Sequence, residues 1–169
     1  MLRHTPDLTI APSDDGFTLR DRSLIDPVIE MCARLNVPVL FDADDENWSS
    51  CTPSLVAEVA VGFPQVTFIM GRMGFGGVNG WPGEPRELVP AMQRAPNLIA
   101  ETGGVFLSKF IQDVVDAAGA ERVLMGSNSP YAPIELPKIM FARHLNKLTA
   151  PEKELVMGGN LKRVLKIAS

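Results

Sequence analysis

The sequence contains few of the residues on which metal and thiol chemistry usually depend. Its 169 residues include only two histidines, His4 and His144, and two cysteines, Cys32 and Cys51. Without metal-site spacing or a secretion signal, two cysteines are expected to be free thiols. A reactive Cys51 would need a nearby base, and both histidines lie far from it in the sequence. The cysteines therefore predict neither a disulfide nor a zinc site.

An excess of positive charge and long apolar runs are also missing. The chain has 16 Lys and Arg residues against 20 Asp and Glu residues, a net charge of -4 at pH 7 and a pI of about 5.2. It should not attract nucleic acid or anionic membranes in general. No apolar run approaches the roughly 18 to 20 residues of a membrane span, and residues 1–6 do not resemble a signal peptide. We expect a cytoplasmic protein with no nucleic-acid or membrane partner.

Short apolar runs that end in polar turns are the main feature of the sequence. With 46% hydrophobic and 21% charged residues, the chain suits a single domain, residues 1–169. The runs predict strands ending near residues 42, 72, 101 and 126, and a further strand at residues 2–4, followed by loop to residue 20. Predicted helices lie between them, one that ends at residue 35, then at 53–62, 84–94, 108–118 and 133–145, and finally from 149 and from 160. The first helix can open at residues 21–23, and Pro27 indicates that its regular part begins at Asp26.

Alternation of strands and helices predicts an α/β protein with a parallel sheet and right-handed crossovers. Two architectures fit this pattern, an open doubly wound sheet and part of a (β/α) barrel. Periodicity does not separate them. The glycines of residues 71–77 lack the spacing of a phosphate-binding loop and are better explained by backbone bends.

Five stretches carry a resemblance to a known family: residues 38–42 (PVLFD), 63–74 (FPQVTFIMGRMG), 96–104 (PNLIAETGG), 126–131 (GSNSPY) and 157–165 (MGGNLKRVL). Their order and spacing resemble the later strands of the amidohydrolase-2 family. That family consists of (β/α)8-barrel hydrolases and decarboxylases, many of them metal-dependent. The resemblance implies a partial TIM-type barrel of about five βα units, with hydrolase-like or decarboxylase-like chemistry.

The first departure from the family is length. Such a barrel usually needs about 250 residues, and the resemblance places residues 2–4 near the family's fourth strand, after the strands that carry its His-x-His pair. About five strands cannot close an eight-stranded barrel. Residues 2–4 and 123–126 would be open edges. We expect a homo-oligomer or a heteromeric partner chain to cover them.

The second departure is the ligand set. The resemblance implies metal-binding histidines at the ends of the fifth and sixth strands and an aspartate at the end of the eighth, where this sequence has Asp42, Arg72 and Asn128. Arginine has no lone pair to give and stays protonated. Asn128 is a poorer ligand than a carboxylate. We therefore expect no metal and no other cofactor.

The replaced ligands allow two interpretations. In the catalytic one, Arg72 binds a substrate carboxylate or oxyanion, Asp42 or Glu101 is the general base, and Asn128 orients the substrate. In the other, Arg72 and Asp42 form a charge-assisted pair that, with Asn128 and Glu101, only neutralises a vacated metal site.

Aromatic residues in the predicted loops suggest where a substrate could bind. Trp48, Trp81 and Tyr131 could form an apolar wall, and His4 lies near the end of the first predicted strand. The same aromatics could instead cover the barrel mouth or an interface. Two functions follow from these alternatives. One is a metal-independent hydrolase or lyase acting on a small carboxylated or cyclic organic molecule, and the other is a non-catalytic or half-site subunit that completes a barrel with a partner chain.

Overall fold

The protein forms one parallel β-sheet with helices between its strands. The structure is a computed structural model and describes residues 9–10, 18–42, 48–76 and 83–167, with only the backbone at residues 9, 10 and 48. All neighbouring strands are parallel and follow chain order. The strands are β1 (Thr9–Ile10), β2 (Val39–Phe41), β3 (Phe68–Met70), β4 (Leu98–Glu101) and β5 (Val123–Leu124).

Strand order decides between the two predicted architectures. A doubly wound sheet reverses its strand order near the middle. Here each strand pairs with the next strand along the chain, without a reversal. The prediction of about five βα units in a partial barrel is confirmed.

In the part of the chain that the structure describes, seven α-helices connect or follow the strands. They are α1 (Arg22–Leu35), α2 (Pro53–Gly62), α3 (Leu88–Arg94), α4 (Ser108–Ala118), α5 (Glu135–Arg143), α6 (Ala150–Glu154) and α7 (Asn160–Leu165). The Thr52 side chain accepts a hydrogen bond from the Leu55 N–H at the start of α2, and Gly119 ends α4. These contacts explain why the two helices have the limits predicted from the sequence, 53–62 and 108–118. In the described part of the chain, no helix has the length and apolar character needed to cross a membrane.

Two predictions near the N-terminus were wrong. Helix α1 begins at Arg22, within its predicted opening at residues 21–23, but it is regular from there and not only from Asp26, although Pro27 lies inside it. Its first turns are held by an ion pair of 2.5 Å between Arg22 and Asp26 and by burial of Ile25, which offset the backbone hydrogen bond that proline lacks. Strand β1 lies in a stretch that was predicted to be loop. It was missed because two residues are too few to show a strand pattern, and their only strand partner is β2. The strand predicted at residues 2–4 lies outside the described residues.

The two faces of the sheet have different surroundings. Alternate residues of each strand, such as Phe41, Phe68 and Leu98, pack against the helices in the main hydrophobic core. The residues between them point to the opposite face, which is the inner face of a barrel. A small cluster lies there, formed by Leu40, Ile69, Ile99, Leu124 and Val164 of α7.

Helix α7 is held at the β5 side of the sheet. The side-chain amide of Asn160 is fully buried and donates hydrogen bonds to the carbonyls of Ala120 (2.7 Å) and Val123 (2.9 Å). At the other end of α7, Lys166 Nζ donates to the Asn36 carbonyl, 3.1 Å away. The helix therefore reaches from the start of β5 towards the end of α1, with Val164 on the inner face of the sheet.

Candidate functional site

Three of the predicted site residues meet at the carboxyl ends of β2, β3 and β4. Asp42 follows β2, Arg72 follows β3, and Glu101 is the last residue of β4. Arg72 Nε donates a hydrogen bond of 2.8 Å to Asp42 Oδ1, and the Arg72 backbone N–H donates one of 3.0 Å to Glu101 Oε2. The expectation that Asp42 and Arg72 pair at this edge is confirmed, and Glu101 belongs to the same group.

The backbone after β3 takes a conformation that permits both contacts of Arg72. Arg72 has φ 51° and ψ 26°, and Met73 has φ 52°, both in the left-handed region that ordinary residues rarely adopt. Gly71 lies so close to Asp42 that an added Cβ would be 3.0 Å from Oδ1. Such strained positions occur often at functional sites, although they do not identify a function.

The Arg72–Asp42 pair is largely withdrawn from water. The Arg72 side chain is 6% exposed and the Asp42 side chain 21% exposed. A buried arginine needs an opposite charge because its guanidinium cannot lose its proton. Asp42 supplies that charge, so the pair holds a positive group at the mouth of the sheet without leaving it unbalanced.

The Glu101 carboxylate lies in a narrow cradle of backbone. Its Oε1 accepts a hydrogen bond of 2.7 Å from the Gly103 N–H, while Oε2 accepts the one from Arg72. A Cβ added to Gly126 would fall 1.3 Å from Oε1, so only glycine leaves room for the carboxylate there. Thr102 is buried, and its hydroxyl oxygen accepts a hydrogen bond from the Gly126 N–H (3.2 Å), which joins the loops after β4 and β5.

The cradle changes the acidity of Glu101. The pKa of its carboxyl is raised from 4.5 to about 7, mainly because burial disfavours the charged form and also because of the negative charge of Asp42. The N–H groups of Arg72 and Gly103 and the Arg72 guanidinium oppose this rise without cancelling it. A carboxyl with a pKa near neutrality can both donate and accept a proton at working pH.

Asn128 and Tyr131 lie in the adjoining loop after β5. Asn128 has φ 57°, and its Nδ2 would be 2.9 Å from a Cβ added at Gly104, so this loop contacts the loop after β4. The Tyr131 N–H donates to the Asn128 carbonyl (2.9 Å), and the residue is 54% exposed. Between described residues, no hydrogen bond joins the Asn128 side chain to the Asp42, Arg72 and Glu101 group.

The other predicted substrate-binding residues remain predictions. His4 and Trp81 lie outside the described residues, and of Trp48 only the backbone is described, at the start of a short 3-10 helix, Trp48–Ser50.

The charges of Asp42 and Arg72 influence the Cys51 thiol, but they do not activate it. Both cysteines are buried and free, as predicted. Burial raises the pKa of the Cys51 thiol strongly, and the charge of Asp42 raises it further. The thiol is therefore protonated at neutral pH and is not a nucleophile.

Sequence reasoning missed the glycines that shape the cradle. Gly103 and Gly126 each follow the end of a strand, and an added Cβ at either would contact Glu101. Glycine at a strand end was the available signal, because it marks places where another group approaches the backbone closely.

The donor set at these strand ends does not fit a divalent metal ion. Among the described residues, no three His, Cys, Asp or Glu side chains are grouped so that they could hold one. Asp42 is already the acceptor for Arg72, and the fixed positive charge of the guanidinium would repel a cation at that carboxylate.

The chain superposes on part of several larger solved structures, including a TIM-barrel protein. An uncharacterised TIM-barrel protein from Bordetella bronchiseptica superposes with a TM-score of 0.73 at 18% identity, covering 94% of this chain and 57% of that one. 5-Carboxyvanillate decarboxylase from Sphingomonas paucimobilis gives 0.68 at 16% identity, covering 95% and 58%. An amidohydrolase from Burkholderia multivorans with bound zinc gives 0.66 at 13% identity, covering 99% and 67%.

These similarities show the fold, and a family model gives the sequence relationship. The chain spans 57% and 58% of the first two structures. No protein of curated function matches the sequence. The model for the amidohydrolase family Amidohydro_2 matches residues 5–167, nearly the whole chain. The chain therefore belongs to the amidohydrolase family Amidohydro_2.

Proposed function

We propose that the chain carries the active site of a metal-independent lyase or hydrolase that acts on a small carboxylated or cyclic organic molecule. The observation that carries this proposal is the Glu101 carboxyl, which is cradled beside the Arg72–Asp42 pair and has a pKa raised to about 7. A group of this kind transfers protons efficiently at neutral pH. It lies at the carboxyl end of the strands, where TIM barrels hold their catalytic groups.

Decarboxylation is the reaction that this set of residues suits best. In the proposed step, the bond between the substrate carbon and its carboxylate breaks, CO2 leaves, and the electron pair stays on the carbon. Protonated Glu101 then gives its proton to that carbon and becomes a carboxylate, and solvent restores the proton. Several similar structures are decarboxylases, among them 5-carboxyvanillate decarboxylase, which makes substituted benzoates the first substrates to try.

Arg72 is proposed to bind the substrate carboxylate. Its guanidinium donates from Nε to Asp42, and the proposed contact with the substrate is through its Nη groups. Arginine recognises carboxylates through paired N–H groups in a planar fork. Asp42 is then a positioning residue that fixes the plane of the fork, and Asn128 and Tyr131 are proposed to contact the rest of the substrate.

Metal independence is part of the proposal and rests on the donor set. The guanidinium provides the fixed positive charge that a metal ion would otherwise bring to a developing negative charge. We expect turnover to survive exhaustive chelation and to show no stimulation by zinc or manganese. Loss of turnover on chelation, with recovery on adding one metal, would overturn this part of the proposal.

Substitutions at the site test the proposal directly. We expect Arg72→Met to raise KM and lower kcat, because it removes both carboxylate binding and charge stabilisation. Glu101→Gln should abolish proton transfer, with a fall in kcat of about 100-fold or more. Asp113→Asn, on the exposed surface of α4, is the control. Turnover that persists at the wild-type rate in both site variants would refute the proposal that Arg72 and Glu101 form the active site.

A second candidate function is a half-site subunit that completes a barrel with a partner chain. It is favoured by the open edges of the described sheet, since β1 and β5 each pair on one side only. Native mass spectrometry of the protein from its own source tests it. A second chain of different mass would support this function, whereas this chain alone, with turnover, would exclude it.

A further inference from the structure

Strand β4 ends in a bend that takes one carbonyl out of the sheet. Glu101 lies opposite Leu124 in the parallel pairing of β4 with β5, and the Thr102 N–H continues this pairing by donating to the Leu124 carbonyl, 3.0 Å away. In a regular parallel ladder the Thr102 carbonyl would accept the next N–H of the neighbouring strand, that of Gly126. It instead accepts from the Val105 N–H (3.0 Å) within the turn after β4.

The Thr102 side chain takes the place of that carbonyl. Its hydroxyl oxygen accepts the hydrogen bond from the Gly126 N–H (3.2 Å), so the ladder continues for one more step through a side chain. Thr102 is 1% exposed, and water therefore has little access to this contact. Because a shielded backbone N–H is costly to leave without an acceptor, the hydroxyl ties Gly126 to the end of β4.

Gly126 at this position forms the β5 side of the Glu101 cradle. A Cβ added to Gly126 would lie 1.3 Å from Oε1 and 2.5 Å from Cδ of Glu101, and 3.1 Å from the Gly103 nitrogen. The backbone of Gly126 therefore packs directly against the carboxyl. A shift of Gly126 away from β4 would open this side of the cradle, and water would reach the carboxyl.

The same contact fixes the start of the loop after β5. This loop carries Asn128 and Tyr131, and it meets the loop after β4 a second time where the Asn128 side chain lies against Gly104. The Thr102 hydroxyl thus connects the group that is proposed to transfer the proton with the loop that is proposed to contact the substrate.

We propose that Thr102 is a positioning residue of the active site, whose hydroxyl holds Gly126 against the Glu101 carboxyl and so limits the access of water to that group. The inference rests on the proposed function, in which Glu101 transfers a proton. Thr102 acts through Gly126 and does not itself contact the substrate.

Two substitutions at Thr102 separate the hydroxyl from the rest of the side chain. Thr102→Val keeps the branched shape and removes the acceptor, whereas Thr102→Ser keeps the acceptor and removes a methyl group. Thr149→Val is the matched control, because the Thr149 hydroxyl also accepts a backbone N–H, that of Glu152 at 3.4 Å, but lies exposed at the start of α6. Circular dichroism checks that the variants are folded.

Amide hydrogen exchange, followed by NMR, tests the contact between Thr102 and Gly126. We expect the Gly126 amide to be protected in the wild-type protein, in Thr102→Ser and in Thr149→Val, and to exchange about tenfold faster or more in Thr102→Val. An unprotected Gly126 in the wild-type protein, or equal exchange in Thr102→Val, would overturn the proposal. If Thr102→Val does not fold, Thr102→Ser decides, because loss of protection in that variant would also overturn it.

Carbon-13 NMR titration of Glu101 tests the consequence for the cradle. The pKa of this carboxyl is raised to about 7, chiefly by burial. It should fall towards 4.5 in Thr102→Val and stay near 7 in Thr102→Ser and Thr149→Val. Asp42 and Arg72, whose charges act on Glu101, are unchanged in all three variants, so a fall reports water at the carboxyl. A pKa that stays near 7 in folded Thr102→Val would overturn the proposal.

Turnover separates this inference from the proposed function. Thr102→Val should lower kcat at neutral pH and move the pH profile of kcat to lower pH, whereas Thr102→Ser should keep the wild-type profile. An unchanged profile in Thr102→Val would overturn the proposal. Wild-type protein that shows the expected exchange and titration but turns over no substrate would refute the proposed function and still support the positioning of Glu101 by Thr102.

Discussion

The raised pKa of Glu101 makes a quantitative prediction about stability and pH. The folded carboxyl holds its proton up to about pH 7, whereas the unfolded one releases it near its ordinary pKa of 4.5. Between these values the folded protein binds about one proton more than the unfolded chain, so the free energy of unfolding falls as pH rises. One pKa unit corresponds to about 1.36 kcal/mol. Between pH 4.5 and pH 7, Glu101 should therefore lower the free energy of unfolding by about 3 kcal/mol, and this loss persists at higher pH.

Glu101→Gln isolates this contribution, because glutamine has a similar shape and does not titrate. The substitution should add a cost of about 1 to 3 kcal/mol that does not depend on pH, because the NH2 group cannot accept a hydrogen bond from a backbone N–H as an oxygen does. The variant also lacks the contribution of Glu101 that varies with pH. The slope of stability between pH 4.5 and 7 should therefore become less negative in the variant, by about 1.4 kcal/mol per pH unit.

Urea unfolding at a series of pH values measures the slope. The midpoint and the m-value give the free energy of unfolding at each pH. Glu58→Gln, at an exposed position of α2, is the control and should keep the wild-type profile. If the curves of wild type and Glu101→Gln run parallel between pH 4.5 and 7, the carboxyl has an ordinary pKa and the argument for proton transfer at neutral pH is wrong.

Two further substitutions test the neighbouring contacts. Asp42→Asn should destabilise the fold by about 2 to 3 kcal/mol in urea unfolding, because it leaves the Arg72 charge buried without its partner. The control, Asp113→Asn in an exposed ion pair, should cost less than about 1 kcal/mol. Equal costs would contradict the claim that the Arg72–Asp42 pair is buried. Gly126→Ala should displace the Glu101 carboxylate, lower its pKa towards 4.5 and cost about 2 to 4 kcal/mol through lost backbone hydrogen bonds. Gly62→Ala is the control, because its added methyl group meets only the end of a flexible arginine side chain and should change stability little. Carbon-13 NMR of the carboxyl groups measures the pKa of Glu101, and urea unfolding measures the stability of both variants.

The sequence was sufficient for the strands that show a strong local pattern. Strands β2 to β5 are short apolar runs bounded by glycine, proline or polar turns, and those signals lie within each run. Strand β1 has two residues and pairs only through β2, so its evidence lies in tertiary contacts. The strand order was equally hidden, because periodicity is the same in a barrel segment and in a doubly wound sheet.

The candidate site was only partly predictable. Position at strand ends was enough to bring Asp42, Arg72 and Glu101 together. The enclosure of Glu101 was not predictable, because it depends on the left-handed backbone of Arg72 and on the closeness of Gly126, which lies in another loop. Some residues in the family-like stretches have structural roles instead. Asn97, for example, donates to the carbonyls of Ala60, near the end of α2, and of Phe63 and Val66, in the turn between α2 and β3.

Isotope incorporation during turnover tests the central claim, that Glu101 transfers the proton at this site. The protein, freed of metal by chelation, is incubated in deuterated water with substituted benzoates, beginning with 5-carboxyvanillate, and the products are analysed by mass spectrometry and NMR. We predict loss of CO2, deuterium on the carbon that carried it, and disappearance of both in Glu101→Gln. Two results would contradict the claim that Glu101 transfers the proton. One is turnover that persists unchanged in Glu101→Gln, and the other is no turnover of any tested acid by the wild-type protein.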